Sequence, residues 1–277
     1  MSAFSTTLLQ ALTSSQLQSL EQMRSAFNTT STSNNGLELN DSLYLRYLRA
    51  RGYDFEKASN LLKETIKWRS EFGLDQLHSE QYKSSVIKEN SSGKMYLRGY
   101  DKEGHVILYM RPRCENTHDH ANNLKHLVYN LEKAIACLDA KGEGIEKWSI
   151  LIDFQGYSMF NAPPFKTSME TLTILQNHYP ERLKRAFCVR PPFIFNAFWT
   201  MISPFIDSVT KEKILLVNDP VSPVLEKYID LSKLEKEVGG KDERKFDSKL
   251  YLGANFGIDY LTLIDDNKVD TETVESK

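Results

Sequence analysis

The stretch Tyr179–Val217, YPERLKRAFCVRPPFIFNAFWTMISPFIDSVTKEKILLV, decides how the rest of this chain is read. Ala186–Val189 and Lys213–Val217 have the length and apolar content of short strands. Between them, Pro191–Ile206 carries no charged residue and five aromatics, in a chain of which 26% of residues are charged. Phe195, Phe198, Trp199 and Ile202 recur at i, i+3, i+4 and i+7, one stripe of a helix. Pro191-Pro192 and Pro204 frame that helix, with Phe205 just beyond it. The segment is too short and too broken by proline to span a bilayer, which takes about 20 apolar residues. It is therefore core, or a flap over something apolar. Asn196, Thr200 and Ser203 leave its second face only weakly polar, and the flanking Glu181, Thr210 and Lys213 favour the flap.

Working outward, Trp148–Phe154 (WSILIDF) is almost wholly apolar, as a strand buried on both faces is. Pro163-Pro164 opens a helix to about His178, and Ala121–Asp139 carries Leu124, Leu127, Val128, Leu131, Ile135 and Leu138 on one helical face. Met95–Gly99 and His105–Met110 read as strands joined by Tyr-Asp-Lys-Glu-Gly. Strands alternating with helices imply an α/β lobe with a mostly parallel sheet. Before it the texture is helical: Ser14–Phe27, a helix capped by Asn40 or Asp41 and stopped at Arg51-Gly52, and another from Asp54 to Phe72. The reading is an all-α unit over 1–75, an α/β domain over 76–257 and a polar tail over 258–277. Asn28–Gly36 reads as a polar loop, and Val238-Gly239-Gly240 punctuates a helix-like run.

Composition excludes several classes. Net charge is −2, so nothing global draws the chain to nucleic acid. Cys114, Cys137 and Cys188 are an odd, scattered set that reads as buried reduced thiols in a cytoplasmic protein. The N-terminus has no basic region followed by an apolar run. Gly156-Tyr157-Ser158-Met159-Phe160 lacks the second glycine of a nucleophile elbow, which makes a serine esterase the remotest alternative. His118, His120 and His126 stand without a ligand set at metal spacing, and no phosphate-cradling glycine loop occurs.

The chemistry of a phospholipid carrier fits what remains. Two acyl chains hold about 30 methylenes at roughly 0.8 kcal/mol each, so their exposure costs on the order of 20 kcal/mol and the pocket must close. A buried phosphodiester needs cations and hydroxyl donors. Thr210 and Lys213, three apart, place both on one side of a helical turn. Arg46, Arg49 and Arg51 add a basic cluster to the helical unit.

Taken in order, LYLRYLRARGYDFEKA, KWR, DKEGHVILYM, ILIDFQGYS, YPERLKRAF, PFIDSVTKEKI and LEKEVGG resemble the landmarks of the CRAL-TRIO lipid-binding family, in its phosphatidylinositol transfer group. The likeness runs from about Leu43 to Gly257. It implies a hydrophobic pocket gated by a helix matching Phe195–Ile206, with Phe195, Phe198, Trp199, Ile202 and Phe205 as gate residues. It implies head-group positions at Arg51, Glu181, Thr210 and Lys213. Gly52 stands where the group usually has lysine. Positions that hold choline in relatives match Leu97, Leu108, Ser158 and Phe160, so by the resemblance two tyrosines, the aromatic faces a quaternary ammonium wants, are lost, one hydroxyl has become aromatic and only Ser158 persists. The expectation is a cytoplasmic, monomeric, non-enzymatic carrier, transiently at membranes, with bound phospholipid and no cofactor, metal or nucleic acid. It carries phosphatidylinositol and a more apolar second ligand such as a sterol; the alternative is a sensor or carrier of such a ligand alone.

Overall fold

In the computed structural model, residues 11–27, 36–142, 144–158, 160, 162–218 and 223–265 are described. Most of the polar loop expected at Asn28–Gly36, and all of the tail beyond Asp265, lie outside them.

The chain divides into two units, one of Met1–Tyr82 with Leu172–Glu181 and one of Lys83–Thr171 with Arg182–Lys277. In the first, α1 (Ser14–Phe27), α2 (Asp41–Ala50) and α3 (Phe55–Phe72) pack on one another. The caps are those the sequence announces. The Asn40 side chain accepts from the Leu43 N–H and the Asp54 side chain from the Lys57 N–H, satisfying donors that a helix start leaves open. Gly52 follows α2 at φ +60, the left-handed conformation that glycine adopts without steric cost. Leu20, Met23, Leu43, Tyr47, Leu48 and Leu62 are among the residues of its core. His178 stacks on Trp68 at 4.0 Å.

The second unit is built on five strands: β1 (Met95–Tyr100), β2 (Val106–Met110), β3 (Trp148–Asp153), β4 (Leu183–Val189) and β5 (Ile214–Val217). They lie in sequence order, β1 antiparallel to β2 and the remaining neighbours parallel. Helices α4 (Glu80–Ser91), α5 (His120–Lys141), α6 (Phe165–His178), α7 (Phe193–Ile202), α8 (Ser208–Glu212), α9 (Pro223–Tyr228) and α10 (Ser248–Gly253) complete the elements used below. The helix-like run before Gly239 is one 3-10 turn, Lys236–Val238. Gly239 has φ +93, and a Cβ on Gly240 would lie 1.9 Å from the Leu234 carbonyl oxygen, so both glycines are sterically required.

Two buried bases on α5 set a pH dependence. Burial, with the charge of Lys94, pushes His126 down to about 3 from 6.5. Burial pushes Lys133 down to about 8 from 10.5; its ammonium donates to the Asn255 carbonyl and lies over the Tyr251 and Phe256 rings. For a base whose folded pKa is depressed, the unfolded chain binds more protons between the two values, so stability rises with pH across that window. The two bases should therefore make stability climb between about pH 3 and 6.5 and again from about 8 to 9, above which the buried thiols of Cys137 and Cys188, raised from 9.0 to about 12, pull it down. Lys133→Met should abolish the upper climb and stabilise at neutral pH by up to about 3 kcal/mol. Urea unfolding at several pH values checks this, and an unaltered upper limb in Lys133→Met would refute it.

Candidate functional site

The sheet register sorts the strand residues onto two faces. Leu97, Leu108, Ile150, Ala186 and Ile214 pair laterally in one row, and Met95, Met110, Ile152, Cys188 and Leu216 in a second row two residues along. Side chains two apart on a strand share a face, so these ten form one floor without a polar side chain. Tyr96, Tyr109, Leu151, Phe187 and Leu215 form a row of the opposite face. Leu97 and Leu108 thus stand on the floor, and their tyrosine neighbours do not.

Helix α7 lies over the far end of this floor. Phe195 is buried with Phe154 and Cys188, while Ile152, Ile214, Tyr157, Phe198 and Trp199 pack around them only partly buried. The Phe195 ring meets Phe154 edge-on at 4.9 Å and stacks on Trp199 at 6.1 Å. The stripe read from the sequence is the face turned to the sheet, and Ile202 on it is half-buried. Helix α7 ends at Ile202, and Pro204 sits in the 3-10 turn Ser203–Phe205 that follows. Outside the stripe large apolar side chains face water: Phe193 is 92% exposed, Phe160 is 94% exposed, and Met201 and Phe205 are more than half exposed. Those of α7 and the turn after it mark an interaction surface, since soluble chains rarely leave several large apolar side chains of one segment in water. Ser158, two residues before Phe160, is half-buried.

Thr210 and Lys213 share the turn closed by α8, the Lys213 N–H donating to the Thr210 carbonyl at 3.1 Å. Asp207 caps it, accepting from the Thr210 N–H at 2.8 Å. Although burial opposes it, hydrogen bonds from Thr210 and the charge of Lys213 hold Asp207 below the usual carboxylate range. The carboxylate is thus hydrogen-bonded to Thr210 and feels the charge of Lys213, the two residues an incoming anion would use. The other two head-group candidates lie in the helical unit. Arg51 is half-buried, its Nη1 donating to the Ala50 carbonyl at 2.9 Å, and Glu181 adopts φ +59 between α6 and β4.

Two ionic networks have no counterpart in the sequence reading. On the tyrosine face, Arg98 and Arg111 meet Glu235, Arg98 meets Asp242 at 2.8 Å, and the Tyr96 hydroxyl donates to Glu235 at 2.6 Å. Burial pushes Asp242 up, but hydrogen bonds from Arg244 and the Arg98 charge outweigh it and hold the carboxyl at about 2. At the end of β3, Asp153 pairs with both Arg113 and Arg190. These acids and bases are far apart in the chain and look like ordinary surface charges until the sheet brings them together.

His120 is engaged by Thr167 and Glu170, and His126 by Asn90, so the histidine trio does not converge. Among the described residues no group of three or more His, Cys, Asp or Glu side chains could hold a metal, and no helix is long and apolar enough to cross a membrane. Cys137 and Cys188 are buried with thiols pushed up to about 12, but Cys114 is half-exposed, correcting the expectation of three buried thiols. Its place in the turn Pro112–Cys114 after β2 explains the access.

Residues 90–240 match the model of the CRAL/TRIO domain. A CRAL-TRIO domain-containing protein of Schizosaccharomyces pombe is 37% identical over 71% of this chain and 18% of its own length. The phosphatidylinositol transfer protein PDR17 of Saccharomyces cerevisiae is 31% identical over 77% of this chain and 61% of its own. The chain thus spans less than two thirds of either relative. The crystal structure of Sfh5 superposes with a TM-score of 0.67 over 94% of this chain and 98% of that one, at 17% identity, which shows a shared fold.

Proposed function

This chain belongs to the CRAL/TRIO domain family, and from that premise we propose that it takes a phosphatidylinositol out of one membrane and delivers it to another. The observation that carries this reading is the apolar sheet face whose end, at Ile152, Cys188 and Ile214, is covered by a helix whose Phe198 and Trp199 are only partly buried. A solid core would bury Ile152, Phe198, Trp199 and Ile214 fully, because protein interiors pack as densely as organic crystals. Acyl chains lying between floor and lid would complete their burial. Phe160 and Phe193, almost bare, are suited to enter a bilayer surface, each contributing roughly 1.5–3 kcal/mol when buried there. The cycle needs no covalent chemistry. The carrier is proposed to work as a cytoplasmic monomer that visits membranes transiently.

Thr210 and Lys213 would bind the phosphate, the Lys213 ammonium turning from Asp207 to the head group. Arg51 and Glu181, which the family resemblance assigns to the same lipid, are tested by their own single substitutions. The second ligand is proposed to be a more apolar molecule such as a sterol rather than choline lipid, because fully buried leucines stand at positions 97 and 108, where the family resemblance puts aromatic faces for a quaternary ammonium. The test is transfer of fluorescent phosphatidylinositol, phosphatidylcholine and a fluorescent sterol between vesicles. Phosphatidylinositol should move at least about tenfold faster than phosphatidylcholine. Sterol transfer alone would replace the reading by that of a sterol carrier, and no transfer at all would refute both.

A further inference from the structure

We infer that Arg190, clamped to Asp153, is the latch of the α7 lid, a positioning residue that sets how often the lid lifts. The inference rests on the reading of α7 as a lid. Arg190 is the single residue between the end of β4 and Pro191-Pro192, so it is the point at which the sheet hands the chain to α7. That backbone stands at φ +53, a left-handed conformation that residues other than glycine adopt only when their surroundings over-determine it. The following proline already disfavours the right-handed helical region for Arg190. Released from its restraints, the residue would relax to extended backbone and re-aim α7.

The restraints are specific. The Arg190 N–H donates to the Val217 carbonyl at 2.8 Å, continuing the ladder to β5. Its side chain turns back across β4, with Nη2 2.5 Å and Nε 3.2 Å from Asp153 Oδ1. The Asp153 carboxylate is fully buried at the end of β3. Its Oδ1 also accepts the Gln155 N–H at 3.0 Å, and its Oδ2 is held by Arg113, arriving from the turn after β2. The anchor is therefore fixed independently of Arg190. Removing Arg190 leaves the carboxylate paired with Arg113, so the sheet survives while the lid loses its tie. A charge-assisted pair with two donors on one oxygen resists opening, yet is made of groups that water can solvate once the hinge turns.

Two native thiols report the motion without any lipid. Cys188 lies two residues before Arg190, 4% exposed and packed with Phe195, so an alkylating reagent reaches it only when α7 lifts. Cys137 is fully buried on α5 with its thiol donating to the Phe256 carbonyl, and it opens only when that region loosens. The experiment is iodoacetamide labelling of the full chain, each cysteine followed by peptide mass spectrometry. The variants are Arg190→Gly, which accepts the positive φ but has no clamp, and Arg190→Lys, which keeps the charge but not the guanidinium fork. Cys188 should react about tenfold faster in Arg190→Gly and at an intermediate rate in Arg190→Lys, with Cys137 unchanged. Fluorescent phosphatidylinositol preloaded on the protein should pass to acceptor vesicles faster in the same order. An unchanged Cys188 rate, or Cys188 and Cys137 accelerating together, overturns the latch. If Cys188 accelerates alone but the wild-type chain carries no phospholipid, the latch stands and the carrier reading falls.

Discussion

A chain carrying Thr210→Asp together with Lys213→Ala should keep its fold and lose phosphatidylinositol transfer by about a hundredfold or more. The turn that holds these residues is secured by backbone: Asp207 accepts the Thr210 N–H, and the Lys213 N–H donates to the Thr210 carbonyl. Neither bond uses the side chains that are changed, and what is removed is the Thr210 side-chain hydrogen bond to Asp207 and the Lys213 charge near it, on an exposed turn. The melting temperature should therefore stay within about 2 °C. The head group fares differently. Hydrogen bonds to charged groups contribute about 1.5–3 kcal/mol each, so losing a hydroxyl and an ammonium removes roughly 3–6 kcal/mol, or two to four decades in affinity. The new aspartate adds repulsion beside Asp207. The pair Thr210→Val with Lys213→Met, which removes the donors without adding charge, should show most of the same loss. Transfer within about threefold of wild type in both variants would take the phosphate away from this turn.

What the sequence made legible is what is local. Asn40 and Asp54 cap the helices they precede, and the 3.6-residue spacing of Phe195, Phe198, Trp199 and Ile202 identified the face of α7 that meets the sheet. The strands were recognised in order, because a β-rich apolar run between turn residues needs no partner to be seen. Their phase is another matter. A slip of one residue exchanges the two faces of a strand, and the presence of Tyr96 and Tyr109 beside Leu97 and Leu108 becomes decisive only once the cross-strand pairs are known. Helix α4 gave no signal, since EQYKSSVIKENS is polar and has few apolar positions to set a period. The Asp153 and Glu235 networks were illegible for a third reason. Each joins acids and bases tens of residues apart, and charge pairing at that range leaves no local pattern.

The second large effect concerns the floor. Ile152 lies at the end of the central strand, pairs laterally with Met110 and Cys188, and is half-buried under α7. Ile152→Trp fills the volume above it. If that volume is packed solid, the extra ring must force its neighbours apart at a cost of about 1–3 kcal/mol, and the chain should melt earlier. If it is the space for acyl chains, the indole takes the place of lipid methylenes, each worth about 0.8 kcal/mol. The variant should then melt no lower than the wild-type chain freed of lipid, and should bind no phospholipid. The opposite signs on stability separate the two interiors.

Native mass spectrometry of the wild-type chain and Ile152→Trp, purified side by side from the same cells, puts the hollow interior to the test. The account predicts one phospholipid bearing an inositol head group on each wild-type chain and none on the variant, with both chains folded. A wild-type chain free of lipid, beside a variant that melts several degrees lower, would contradict it.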